Sequence, residues 1–212
     1  MRAFRSSTTW LAGSLMLTMI GVMICVRLAS SAVQPLIPLF TEHIEPTISD
    51  KRSSLLAGLA LGMLGLTSAI SAVWLGKLGD RRGHRPILFW CALGAGVLYL
   101  PMALVHESWQ LITLQGCFGV AAGGLIPSAN AIAANATPPE RRGVLYGVLA
   151  AAASIGGFIG PLSGASLAAV FGFRLAFAVT GLLLVGVAIV AVRVFTGAVP
   201  LSAPEQRPST AT

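Results

Sequence analysis

The chain has few charged residues and very few acidic ones. Charged residues make up 10% of the 212-residue sequence and hydrophobic residues 55%, and only 7 residues are Asp or Glu. The mean hydropathy is +0.83. Soluble domains carry about 25% charged residues, so this composition excludes a soluble globular protein. It indicates an integral membrane protein.

The residues from which enzymes build active sites are also scarce. The side chains that could ligate a metal or form a nucleophile–base pair are scattered along the chain: His43, His84, His106, Cys25, Cys91 and Cys117. No metal-ligand spacing, no Ser/His/Asp or Cys/His set and no Gly-x-x-x-x-Gly-Lys phosphate loop occurs. We therefore expect neither an enzyme nor a bound metal or cofactor.

Six apolar stretches are long enough to cross the hydrocarbon core of a bilayer, which takes about 20 helical residues. A closed barrel would show shorter strands of alternating polarity, so we expect an all-α membrane fold. The six-helix unit is predicted to cover residues 10–195, after a cytoplasmic N-terminus at 1–9 and before a disordered cytoplasmic tail at 196–212. The predicted spans are 10–40, 54–76, 87–105, 110–136, 144–170 and 175–195.

The basic residues follow membrane topology. With the N-terminus inside, the outside holds only Lys51, Arg52 and Arg174, and the other placed basic residues fall on the cytoplasmic side. The positive-inside rule therefore accounts for the net charge of +7 without a nucleic-acid partner. It predicts a multi-pass membrane protein with both termini in the cytoplasm.

The N-terminus has a second interpretation. Arg2 and Arg5, the apolar run 10–26 and the small residues 30–32 also resemble a secretory signal peptide with a cleavage site. Arg27 interrupts the approach to that site, and the apolar pattern resumes after it, so we favour a first membrane span. Pro35 and Pro38 near its outer end are expected to bend it.

The most informative segment is residues 76–85, which read Gly-Lys-Leu-Gly-Asp-Arg-Arg-Gly-His-Arg between the second and third spans. It resembles the signature loop of the major facilitator superfamily, Gly-x-Leu-(Ala/Gly)-Asp-Arg-x-Gly-(Arg/Lys)-(Arg/Lys), and His84 is the departure. The resemblance implies one six-helix half, a three-plus-three inverted repeat, that moves against a second half. It also implies a conformational latch, here the residues Gly76, Asp80, Arg81, Gly83 and Arg85.

Small residues recur along three spans. Gly156, Gly160, Pro161 and Gly164 resemble the fifth-helix motif of exporters in that superfamily, Gly-x-x-x-Gly-Pro-x-x-Gly-Gly, with Ala165 in place of the last glycine. Proline there is expected to kink the helix against a neighbour. Similar stripes run through the fourth span and through the second span, at Gly58, Gly62, Gly65, Ala69, Ala72 and Gly76. We expect both to be helix contacts.

A few polar side chains fall inside the predicted spans. Arg27, Ser30, Ser31 and Gln34 share one helical face, and an arginine near mid-membrane should face a cavity or a partner. The candidates for a substrate pathway are Arg27, Ser31, Gln34, Gln115 and Asn130. Alternatively Arg27 snorkels to an interface and Asn130 bonds a neighbouring helix. The family often has arginine where Gln115 stands, and that charge is absent.

These features together predict secondary transport of a small molecule, with multidrug efflux favoured. The chain resembles one half of such a transporter, and Gly172-Phe173-Arg174 favours the second, C-terminal half. None of the acidic residues falls mid-membrane, so a proton-coupling carboxylate is expected on another half or polypeptide. The alternatives are sugar or metabolite uptake and a truncated or non-transporting membrane subunit that associates with a partner. The expected partners are the bilayer, a small-molecule substrate, protons and a second six-helix half, whether a separate chain or a second copy.

Overall fold

The computed structural model describes residues 2–44 and 50–197, and these residues are helical with no β-strand. Six helices or helix pairs are long and apolar enough to cross a membrane, which confirms the prediction of an all-α membrane protein. The elements are α1 (Arg2–Ala32), α2 (Leu36–Ile44), α3 (Asp50–Arg82), α4 (His84–Met102), α5 (Ser108–Asn135), a 3-10 turn (Pro139–Arg141), α6 (Arg142–Phe171) and α7 (Phe173–Gly197).

The first span consists of two helices. α1 ends at Ala32 and α2 begins at Leu36, where the Leu36 amide donates to the Val33 carbonyl at 2.9 Å. Pro35 lies in this break because it has no amide hydrogen to continue the helical bonding. The expected bend at the outer end of the span is therefore confirmed. α1 already begins at Arg2, so residues 2–9 of the predicted N-terminal segment are helical, and residues 198–212 of the predicted tail lie outside the described residues.

The helices pack as two interlocked triplets. Spans one to three are α1 with α2, α3 and α4, and spans four to six are α5, α6 and α7. The most extensive contacts join α1 to α6, α3 to α5 and α4 to α7. If each span of one triplet is exchanged for the corresponding span of the other, the α1–α6 contact becomes the α5–α3 contact, and the α4–α7 contact becomes itself. Because each triplet has three spans, the second runs opposite to the first, as an inverted repeat requires.

The inverted repeat is also visible at two helix junctions, one in each triplet. Gly83 alone separates α3 from α4, and Gly172 alone separates α6 from α7. Both glycines have positive φ, 91° and 86°, which L side chains rarely adopt. Each donates its amide to the carbonyl four residues earlier, at 2.8 Å to Gly79 and 2.9 Å to Ala168. Each is followed by the pattern x-Arg.

Glycine brings the paired helices into backbone contact. A Cβ built at Gly119 of α5 would lie 2.5 Å from the Leu64 carbonyl oxygen of α3, and one at Gly96 of α4 would lie 2.7 Å from the Gly181 carbonyl oxygen of α7. Without a hydrophobic drive in lipid, such close approach is what lets helices associate. The prediction of a helix contact is confirmed for the fourth span.

The second-span stripe behaves differently. Cβ atoms built at Gly58, Gly62, Gly65 and Gly76 would meet nothing within 4 Å. Within the described residues these four glycines therefore contact no helix, because α3 packs on α5 through a different face, at Leu64, Thr67 and Ser71. That the glycines of the stripe form a helix contact stays a prediction. One face of α3 is therefore left with glycines and no neighbour from this part of the chain.

Candidate conformational latch and polar face

The latch segment is a helix end rather than a loop. α3 continues through Arg82, so Gly76 and Asp80 lie within the helix, and only Gly83 has a non-helical backbone. The two glycines of the predicted latch have different surroundings. Gly83 makes the turn, whereas a Cβ at Gly76 would meet nothing within 4 Å in this chain.

Asp80 pairs with the residue that departs from the family pattern. The Nε2 atom of His84 lies 3.2 Å from Oδ1 of Asp80, across the Gly83 junction. The Asp80 side chain is 76% exposed, whereas that of His84 is 12% exposed. Since a carboxylate only accepts hydrogen bonds, Nε2 must carry the proton that it donates. One carboxylate oxygen is thus held, and the group as a whole faces away from the bundle.

His84 lies flat on the α3 backbone. A Cβ built at Gly79 would collide with Nδ1 of His84 and lie 2.5 Å from Cε1. Nδ1 is buried and has no hydrogen-bond partner in the described part of the chain. The contact of His84 with Asp80 was not predicted from the sequence. The i, i+4 spacing of the two residues was the available signal.

The arginines near this pair in sequence lie on the same two helix ends. Arg81 and Arg82 are exposed on the last turn of α3, and Arg85 is half-buried on the first turn of α4, where it also has an interaction partner. Guanidinium groups are planar donors suited to bidentate carboxylate binding. The α3–α4 junction therefore presents the exposed carboxylate of Asp80 among several cations.

The predicted pathway residues of the first span meet the fifth-span motif. The Ser31 hydroxyl donates to the Arg27 carbonyl at 2.7 Å and lies 3.4 Å from the Gly156 carbonyl oxygen. A Cβ built at Gly156 would lie 2.9 Å from Cβ of Arg27. Arg27 is exposed on α1, and Gln34 is exposed in the break before α2. The arginine and the glycine motif, treated separately in the sequence, lie side by side.

The fifth-span motif forms a helix contact over its full length. Gly156, Gly160 and Gly164 are buried, and Cβ atoms at these positions would collide with α1 or lie within 2.5 Å of its carbonyl oxygens, from Ile24 to Ala32. Pro161 lies inside α6, which runs unbroken from Arg142 to Phe171. The motif thus positions α6 directly against the polar face of α1.

The two fourth-span candidates lie apart from this group. Gln115 is 1% exposed, and its Oε1 atom has no hydrogen-bond partner within residues 2–44 and 50–197. A buried acceptor without a donor is uncommon in folded proteins. Asn130 is half-buried, nearer the inner end of α5.

The described residues offer no metal site, since no group of three or more His, Cys, Asp or Glu side chains converges among them. A cavity of about 490 Å³ lies at the outer ends of the helices, lined by Phe40, Val105, His106, Phe171, Gly172, Phe173 and Arg174. It contains none of the predicted pathway residues. Among the predicted pathway and latch residues, Arg27, Gln34 and Asp80 are exposed on the surface of this bundle.

Comparison with known proteins gives close sequence relatives. The chain is 37% identical over 155 residues to the multidrug resistance protein MdtG of Proteus mirabilis, and 35% identical over 152 residues to the MdtG of Salmonella typhi. These matches cover 73% and 72% of the chain. They cover 38% and 37% of the relatives, so the chain spans well under half of their length.

Solved structures share the fold at low identity. The transporter PepTSo of the POT family superposes with a TM-score of 0.76 at 16% identity, over 85% of this chain and 37% of that one. A bacterial homologue of the human lysosomal transporter Spinster, in an inward-facing and occupied conformation, gives 0.71 at 16% identity, over 86% and 44% of the two chains.

The family pattern itself matches almost the whole sequence. The match to the Major Facilitator Superfamily runs over residues 19–211 and so includes the latch, the polar face of α1 and the fifth-span glycines. This confirms the resemblance stated from residues 76–85. The chain belongs to the Major Facilitator Superfamily.

Proposed function

We propose that the chain is one six-helix half of a secondary active transporter that exports drugs or small organic molecules by alternating access. The observation that carries the proposal is the 37% identity to a multidrug resistance protein. The glycine motif of α6, which resembles that of exporters, favours export over uptake of a sugar or metabolite. The membrane is a bacterial inner membrane in this proposal, with both termini in the cytoplasm.

A second six-helix half covers the open faces of this one. α3 and α6 are the least buried spans, with 17% and 28% of their apolar windows buried, against 39% or more in the other four. Gly58, Gly62 and Gly65 on the open face of α3 would let another helix backbone approach closely. The occupant is a further segment of the same protein, a separate chain or a second copy.

Asp80 acts at the inner boundary between the two halves. Its exposed carboxylate accepts hydrogen bonds from an arginine and a helix N-terminus on the second half, which favours the outward-open state. The neighbouring Arg81 and Arg85 give the same boundary donors for carboxylates of the opposite half. Gly83 keeps α3 and α4 close enough to move as one unit.

The substrate passes between the two halves, along the exposed polar side of this one. Arg27, Ser31, Gln34 and Asn130 contribute polar groups, and Gln115 offers an acceptor that lacks a donor. The acidic residues with described side chains, Glu42, Asp80, Glu107 and Glu140, all lie at or beyond span ends. Proton coupling through a mid-membrane carboxylate therefore uses the second half.

The latch role is tested by replacing Asp80 with asparagine, a near-isosteric neutral side chain. We expect Asp80→Asn to reduce export of cationic dyes from cells by about tenfold or more, because charge-assisted hydrogen bonds between the halves are lost. The amount of protein in the membrane should stay unchanged. Immunoblotting of membrane fractions measures this.

The matched control is Glu140→Gln, which removes an exposed carboxylate at the other inner junction of the bundle. It should export dye at the wild-type rate. Wild-type export by Asp80→Asn would refute the latch. A wild-type protein that exports none of a panel of dyes, with or without a proton gradient, would refute drug export itself.

A further inference from the structure

The signature segment of this chain carries a titratable side chain in place of a permanent cation. The family pattern has arginine or lysine at position 84, and this chain has histidine. Histidine is the side chain whose charge changes most readily between about pH 5 and pH 8. The position is the first residue of α4, four residues after the latch carboxylate.

The geometry ties this histidine to Asp80 specifically. Nε2 of His84 lies 3.2 Å from Oδ1 of Asp80, and the ring is 12% exposed. Gly79 supplies the space for the ring, because a Cβ there would collide with Nδ1. The family pattern accepts alanine or glycine at position 79. Here only glycine is compatible with the observed ring position.

The surrounding charges are mostly positive. Asp80 is the charged group within hydrogen-bond distance of the imidazole in the described part of the chain. The other charged residues at this end of the bundle are Lys77, Arg81 and Arg82 on α3, Arg85 on α4, Glu140, Arg141 and Arg142 at the α5–α6 junction, and Arg193 on α7. Arginine and lysine keep their charge over this pH range, so they set a constant background.

We propose that His84 is a positioning residue for the carboxylate of Asp80 and that its protonation makes the latch respond to cytoplasmic acidity. The neutral ring donates one hydrogen bond from Nε2 and holds Oδ1, leaving Oδ2 for the second half. The protonated ring adds a positive charge beside the carboxylate and so restores the cation that the family pattern has at this position. The inference rests on the proposed latch role of Asp80.

The first test is dye counterflow in proteoliposomes that contain the transporter with its second half. The pH is equal on both sides of the membrane, so that no proton gradient contributes. We expect the wild-type rate to follow that of His84→Lys near pH 5 and that of His84→Gln near pH 8, with the two limits about two- to fivefold apart. The His84→Lys and His84→Gln variants should lack this step themselves.

The Gly79→Ala substitution changes the position of the His84 ring without changing the imidazole itself. It keeps both His84 and Asp80, and the ring can swing outward to relieve the collision, so the protein should fold. We expect it to lose the pH-dependent step. A wild-type profile parallel to those of both His84 variants, or a step that persists in Gly79→Ala, would overturn the proposal.

The second test needs no transport. Nitrogen-15 spectra of the imidazoles, recorded on the chain in lipid nanodiscs, should show His84 protonated at Nε2 in its neutral form. This preference should disappear in Asp80→Asn and in Gly79→Ala. Identical spectra in all three proteins would overturn the contact. A wild-type protein without counterflow would instead refute the proposed transport, while the spectra still decide on the contact.

Discussion

The junctions at Gly83 and Gly172, which we name inner and outer after the proposed topology, have the same backbone geometry and different side-chain chemistry. At each, one glycine with φ near 90° joins two long helices, and its amide bonds the carbonyl four residues earlier. The residues flanking the inner glycine at positions 80 and 84 are Asp and His, which pair. The corresponding outer residues, Ala169 and Phe173, carry no charge. The repeat therefore provides the same turn twice, and only the turn at Gly83 carries the Asp80–His84 pair to which we assign the proposed latch.

The largest expected effect tests the shared backbone. A Cβ at Gly172 would meet nothing within 4 Å, and one at Gly83 would meet only Cδ of Pro86 at 4.0 Å, so alanine there introduces backbone strain without a steric clash. We expect Gly83→Ala and Gly172→Ala each to cost about 1–3 kcal/mol. Thermal unfolding in detergent should show a similar decrease of the midpoint for both.

Gly147→Ala is the control for that pair. Gly147 lies within α6 and also has nothing within 4 Å of a built Cβ. Alanine favours the helix there by about 0.5–1 kcal/mol, so stability should be equal or higher. A pair of unequal midpoints for Gly83→Ala and Gly172→Ala would show that the two turns are not equivalent.

The next comparison distinguishes the residues that follow the two glycines, and only one of the two changes is expected to affect stability strongly. The Phe173 ring lies 5.7 Å from that of Phe40, between centroids, and helps close the outer end of the bundle. Phe173→Ala should therefore cost about 1–3 kcal/mol. His84→Ala should change stability by about 0–1 kcal/mol and change the pH dependence of transport instead. Equal losses of stability in Phe173→Ala and His84→Ala would contradict the assignment of a packing role to Phe173 and a functional role to His84.

The smallest effect concerns the arginines two residues after each glycine. Arg174 is exposed, so Arg174→Gln should change stability by less than about 0.5 kcal/mol and leave dye export unchanged. Arg85 is half-buried and has an interaction partner, so Arg85→Gln should reduce export several-fold at unchanged protein level. Export measured alongside membrane content decides both. A loss of export in Arg174→Gln would give the outer junction a functional role that its chemistry does not predict.

Composition predicted the six-span helical architecture, because long apolar runs depend on residue type rather than on contacts. The bend at Pro35 was predicted because proline has no amide hydrogen to continue a helix. The helix partners could not be predicted. Glycines at steps of three and four mark a face in the second, fourth and fifth spans alike, but only the last two faces are covered within the chain.

The chemistry of individual side chains was harder to predict. The pairing of His84 with Asp80 is visible as an i, i+4 spacing, but the role of Gly79 depends on which way the imidazole turns. Gln115 was expected on a substrate pathway and is 1% exposed within this half, because burial depends on which helices surround the fourth span. Its role in a pathway stays a prediction.

The contact between Gly96 and Gly181 has a mechanical consequence. Two helices whose backbones touch at one point, each with the other's carbonyl oxygen 2.7 Å from its built Cβ, have no spare space in which to slide. The glycine contacts of α3 with α5 and of α1 with α6 prevent those helix pairs from sliding in the same way. We therefore expect these six spans to move as one stiff body. In the proposed transporter, the movement between inward-open and outward-open states would then occur at the boundary with the second half.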